Sequence, residues 1–147
     1  MEDQIWQIRL FVYEHFAETT RPPRVAETAS RFGLAHEEAA SAYEELHRRH
    51  ALYLKPGTHE ILMANPFSGM ETDFRVHANG RTYFANCAWD TLGIAAALHT
   101  DADIAAACAQ SGAPVRISVS NGQVRDSDAL VHFLVPFREW YTDLVFT

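Results

Sequence analysis

Apolar side chains recur at helical spacing through the first part of the chain. Ile5, Ile8, Val12 and Phe16 fall three or four positions apart, which is one stripe of an amphipathic helix. Thr19, Thr20, Pro22 and Pro23 break that stripe. A short helix restarts over Val25–Phe32, with Gly33 where a helix C-terminal glycine belongs. A third helix is predicted over residues 36–50, with Ala39, Tyr43 and Leu46 on one face. Two short apolar runs follow, at 51–54 and 60–63, around Lys55-Pro56-Gly57-Thr58-His59. Pro-Gly between such runs is a hairpin signal. Helix–helix–helix–hairpin is the order of a winged helix.

Asn65-Pro66-Phe67-Ser68-Gly69 has the composition of a linker, which divides the chain into residues 1–66 and 67–147. Beyond it the period changes. Residues 74–77 and 82–84 flank Asn79-Gly80, a short-hairpin turn. Ala88–Leu98 is rich in alanine and leucine and predicts a buried helix. Residues 115–120 and 130–135 predict strands, with Asn121-Gly122 as a turn, and 140–146 is a last apolar stretch of open type. The fold class expected is α+β: a winged-helix-like three-helix unit with a hairpin, then a mixed core of antiparallel strands and a buried helix.

Composition narrows the partners. The 147 residues carry a net charge of -7, which disfavours affinity built on a phosphate backbone or an anionic membrane. No apolar run approaches the roughly 18 residues of a membrane span. The acidic, helical start MEDQIWQIRLF is unlike a secretory signal, so the expected location is the cytoplasm. There Cys87 and Cys108 stay free thiols. Nothing in the pattern sets an oligomeric state.

The winged-helix order raises DNA binding, because a third helix can enter the major groove. Glu37, Glu38, Glu44 and Glu45 on that helix oppose it, since phosphate binding depends on Lys and Arg; Arg48, Arg49 and Lys55 make only a small positive patch. Nucleic acid is therefore not the expected partner. His47 and His50 share a helix face but lack a third ligand nearby in sequence. No phosphate-binding glycine fingerprint occurs, and Ser118 and Ser120 lack a nucleophile-elbow context.

The chemistry concentrates in Thr82-Tyr83-Phe84-Ala85-Asn86-Cys87-Ala88-Trp89-Asp90-Thr91-Leu92-Gly93. The segment passes from a strand into the first turn of a helix. A cysteine there lies near backbone N–H groups and the positive end of the helix dipole, and both favour thiolate. Asp90, three residues on, shares its helical face. Its anion would raise the thiol pKa, whereas its protonated form can donate a proton. Trp89 and Asn86 are candidate pocket walls, and a Trp89 that excluded water would help keep Asp90 protonated. The alternative is equally physical: a buried cysteine acting as a small hydrophobe and an aspartate that caps a helix. Cys108, among small apolar neighbours, is expected to be a buried structural thiol.

Asn86-Cys87-Ala88-Trp89-Asp90-Thr91-Leu92, then Cys108-Ala109-Gln110-Ser111-Gly112-Ala113-Pro114-Val115, resembles the core of the organomercurial (alkylmercury) lyase family, and Val131-His132-Phe133-Leu134-Val135-Pro136 follows in the family's order. The resemblance implies protonolysis of a carbon–mercury bond, with Cys87 as the first catalytic cysteine and mercury ligand, Asp90 as the acid and Cys108 as structural. It implies no cofactor: Hg(II) is the product and an external thiol releases it. It also implies a second catalytic cysteine about eleven or twelve positions after Pro136, at Thr147 or one residue beyond. No cysteine lies between Cys108 and Thr147, so the expectation is either a chain cut at its site or a short relative without the second thiol.

The expected function is thus an alkylmercury-lyase-like protein acting on a small organomercurial or another soft electrophile. Two alternatives stay open. One is a non-catalytic winged-helix binding or metal-sequestering module. The other is a different cysteine-nucleophile enzyme on the same scaffold.

Overall fold

The structure, a computed structural model, describes residues 2–125 and 127–143. Among them are four α-helices, eight strands and one 3-10 helix. The order is α1 (Glu2–Thr19), α2 (Val25–Phe32), α3 (His36–Arg48), β1 (Tyr53–Leu54), β2 (Ile61–Ala64), β3 (Phe67–Ser68), β4 (Arg75–Ala78), β5 (Arg81–Phe84), α4 (Ala88–Leu98), β6 (Ala102–Ala107), β7 (Pro114–Ser120) and β8 (Gln123–Arg125). A 3-10 helix over Phe137–Thr142 follows. This is an α+β fold with antiparallel sheets.

The three N-terminal helices pack through the stripes expected of them. Ile8, Val12 and Phe16 of α1 are buried, as are Ala39, Ala40, Tyr43 and Leu46 of α3. Each short helix is started by its own third residue. The Glu27 carboxylate accepts from the Arg24 backbone N–H at 2.8 Å, and Glu38 does the same for Ala35, the reciprocal half of a capping box. Bonds from Arg21, then from the Arg24 backbone, hold the Glu27 carboxyl down at about 2. Gly33 closes α2 at φ 65°, a left-handed position that costs glycine little. Between α2 and α3, the buried Tyr43 hydroxyl meets Thr28 Oγ1 at 2.6 Å and donates to the Pro23 carbonyl at 3.2 Å.

β1, β2 and β3 form one antiparallel sheet. Residues 65–69, expected as a linker, instead carry β3, because Phe67 buries its ring against Phe16, Tyr13 and Tyr83. Aromatic burial outweighed the turn-like composition around it. The second sheet runs β5-β4-β6-β7-β8. Asn79-Gly80 joins β4 to β5 with φ of 52° and 71°, and Asn121-Gly122 joins β7 to β8 with 51° and 72°. Two positive φ values in a row are the geometry such hairpins need. Helix α4 contacts β4 and β6, burying Thr91, Ile94 and Ala95.

One strand was not read from the sequence, and one sequence reading is corrected. Residues 102–107 form the central strand β6, although alanine is a poor strand former; pairing on both edges, with β4 and β7, overrides the propensity. Residues 130–135, expected as a strand, have no regular structure, and Leu130 is 94% exposed. The strand on the other edge of β7 from β6 is Gln123–Arg125, which the hairpin turn delivers directly. Of the apolar stretch 140–146, the 3-10 helix takes the start, and residues 144–146 lie outside the described residues.

Candidate functional site

Cys87 follows β5 and is the N-cap of α4, with φ -150° and ψ 179°. Extended backbone at an N-cap points the side chain back over the first turn. Cys87 makes no side-chain capping hydrogen bond, but the Asp90 carboxyl and the backbone N–H groups of Asp90 and Trp89 lie close enough to shift the ionisation of its thiol. The helix start thus brings the thiol and the acid together, as their spacing suggested.

The ionisation balance departs from the sequence reading. Burial pushes the Cys87 thiol up, the Asp90 carboxylate adds to that rise, and the bonds from the two backbone N–H groups only partly offset them. Burial also raises Asp90, against lowering bonds from Asn86 and Cys87. The dipole argument alone favoured thiolate. Desolvation is the larger influence here, so both groups are raised, and the sulfur holds its proton more tightly than the dipole argument alone suggested.

Asn86 is gripped from three sides. Its Nδ2 donates to Asp90 Oδ2 at 3.1 Å, to Asn65 Oδ1 at 2.9 Å and to the Phe67 carbonyl at 3.2 Å. Asn65 is in turn held by α1: the Tyr13 hydroxyl donates to its carbonyl at 3.0 Å, and Arg9 Nη2 donates to Tyr13 at 3.2 Å. Burial raises the Tyr13 phenol, Arg9 lowers it, and the Asp90 charge adds a smaller rise. Sequence reasoning missed Arg9, Tyr13 and Asn65, because no local spacing links α1 or the β2–β3 connection to a cysteine on α4. Gly93 is the close approach that lets α4 sit there, since a Cβ on it would lie 3.0 Å from Pro66 Cβ.

Trp89 is 57% exposed, so it flanks the site without sealing it. Its ring meets Phe133 edge-on at 6.3 Å, and Phe133 stacks on Trp140 at 5.4 Å. That aromatic row was not foreseen. Cys108 is only partly buried. It lies in the β6–β7 turn, where Gly112 N–H donates to its carbonyl at 2.8 Å, and hydrogen bonds from Ser111 and Gln110 lower its thiol pKa. The buried surroundings expected for it are absent: it opens a turn whose residues 109–112 are exposed. Arg75 pairs with both Phe84 and Ala105, so Cys87 and Cys108 follow strand ends at the same end of the sheet. Strand β4 lies between β5 and β6, so at ordinary strand spacing those two strands run about 10 Å apart. Thr147 lies outside the described residues.

Among the described residues no group of three or more His, Cys, Asp or Glu could hold a metal ion. His47 Nδ1 instead accepts from the Leu54 N–H, and His50 stacks on Tyr141.

Residues 67–146, more than half of the chain, match the family model MerB: Alkylmercury lyase. The chain belongs to the alkylmercury lyase family. Among solved structures, the crystal structure of the mercury-bound form of MerB2 aligns with a TM-score of 0.68 at 24% identity. The alignment covers 87% of this chain and 61% of that one, so this family member spans about three-fifths of that protein's length. At this identity the likeness speaks for the fold. No curated protein matches the chain. Cys87, Asp90 and Asn86 all lie inside the segment matched to the alkylmercury lyases.

Proposed function

We propose that this chain captures an organomercurial on Cys87 and cleaves its carbon–mercury bond with a proton from Asp90. The observation that carries the reading is the thiol–carboxyl pair at the start of α4, in which each group shifts the other's ionisation, inside the segment that matches the alkylmercury lyases. The Cys87 S–H proton passes to Asp90 as sulfur bonds to mercury and displaces the substrate's anionic ligand. The Asp90 proton then goes to the carbon, the carbon–mercury bond breaks, and hydrocarbon leaves with Hg(II) held on sulfur. A soft thiolate suits a soft metal, and raising the acid by burial suits it to donate. The scheme uses no resident cofactor; an external thiol takes Hg(II) away.

Trp89 and Asn86 are proposed to flank the reacting atoms, with Cys108 outside the chemistry. Nucleic acid is not the proposed partner of the helix–hairpin unit, which we read as a winged-helix-like module. Its positive patch is largely neutralised: Arg48 and Arg49 both pair with Glu45, and Lys55 pairs with Glu60 at 2.7 Å. No helix among the described residues is long and apolar enough to cross a membrane; a cytoplasmic location is part of the proposal.

The test is incubation with a phenylmercury salt and excess small thiol, measuring benzene released. Release that depends on Cys87 supports the reading, and release that survives Cys87→Ser rejects the assigned site. Stoichiometric capture without release favours a sequestering module. No capture at all favours a different cysteine chemistry on this scaffold.

A further inference from the structure

The Asn86 side chain has an orientation fixed by its surroundings. Three acceptor oxygens face its Nδ2, from Asn65, Phe67 and Asp90. The Phe67 carbonyl can only accept, so a flipped amide would set oxygen against oxygen. The Asn86 Oδ1 is meanwhile buried with no partner among the described residues. Such an acceptor is costly, and it is tolerated because the opposite orientation loses three bonds. Its two amide protons serve these three acceptors, so one proton is shared, and Asp90 Oδ2 receives one of the bonds.

We propose that Asn86 is a positioning residue for proton delivery: by occupying Asp90 Oδ2 it leaves Oδ1 as the oxygen that takes the Cys87 proton and hands it to the substrate carbon. A proton placed on Oδ2 would face the Asn86 N–H, donor against donor, so the acid proton has one address. The grip on Asn86 is relayed from outside the cysteine segment. Asn65 holds the amide, and Tyr13 on α1 holds Asn65. Asn86 need not touch the substrate; it acts through Asp90. The inference rests on the lyase reading above.

The test compares wild type with Asn86→Ala in phenylmercury protonolysis, alongside capture stoichiometry and the solvent deuterium isotope effect. In Asn86→Ala, kcat falls roughly 10- to 100-fold, the scale of a misplaced catalytic group. KM and the one-to-one capture by Cys87 hold, and the isotope effect on kcat rises because proton delivery becomes limiting. A merely less folded variant loses capture in step with turnover and keeps the wild-type isotope effect; that result, or an unchanged kcat, overturns the proposal. If Asn86→Ala does not fold, Asn65→Ala removes the anchor and keeps the donor, and it gives a smaller drop of the same kind. The proposal also requires that the Asn86 side-chain amide protons exchange more slowly by NMR than those of exposed Asn121; equal rates overturn it whatever the activity. Wild-type protein that captures phenylmercury but releases no benzene rejects the lyase reading itself, and the delivery role with it. Normal wild-type release with a normal Asn86→Ala rejects only the positioning role.

Discussion

At Cys87 two influences oppose each other. The N–H groups of Trp89 and Asp90 favour thiolate, while burial and the Asp90 carboxylate favour thiol, and the second pair prevails. Asp90→Asn removes the negative charge and leaves the burial. The thiol should then titrate lower, and its alkylation by neutral iodoacetamide near pH 8 should quicken several-fold; an unchanged or slower rate would mean that Asp90 does not sense the sulfur. The same variant should still capture phenylmercury yet lose benzene release by about a hundredfold or more, the usual scale of a general acid. The Cys87–Asp90 pair could be found in the sequence because both members sit within one helical turn. Asn65 and Tyr13 could not. Their contacts reach across 21 positions to Asn86 and across 52 between themselves, and no periodicity carries that information.

Among the elements, the strongly periodic ones were readable. Helices α1 to α3 and the Asn-Gly hairpins follow from side-chain spacing and turn chemistry. Strand β6 did not, since Ala105, Ala106 and Ala107 carry no strand preference of their own and take their conformation from two neighbours. Two substitutions probe how the elements are held. Tyr43→Phe strands the Thr28 hydroxyl in the α2–α3 interface and should cost about 1–3 kcal/mol in denaturant unfolding. Its pH signature has a definite sign. Burial pushes the Tyr43 phenol up to about 12, from 10.0 in the open chain. The contribution of its neutral form is complete below pH 10.0, where neither state ionises, and is lost as pH climbs toward about 12. Base unfolding in that window should flatten in Tyr43→Phe, and an unaltered profile would exclude Tyr43 as its source. Gly69→Ala addresses the β2–β3 pairing. A Cβ there would lie 2.2 Å from the Ile61 carbonyl oxygen, so the backbone must shift, and a loss of about 1–3 kcal/mol or more is expected, as for other overpacked sites.

For the whole molecule, one apolar cluster runs from Ile8 and Phe16 on α1 through Phe67 and Tyr83 to Ile104 and Val119. An isolated bridge between Phe67 and Ala85 joins the two sheets, and the Tyr83 hydroxyl donates to the Ala17 carbonyl of α1 at 2.6 Å. Such sharing predicts one cooperative unfolding transition, with tryptophan fluorescence and far-ultraviolet circular dichroism coinciding; two separated transitions would show that the helical unit and the larger sheet are held independently. The hold that Tyr13 keeps on Asn65 bears on how this scaffold can be recombined. A chimera that replaces the first helix with one from another family member would have to bring a hydroxyl donor to the same place. Grafted without it, the new helix would fill the core and still leave the β2–β3 corner free to drift, so a hybrid chosen for stability alone would lose register at the acid before it lost its fold.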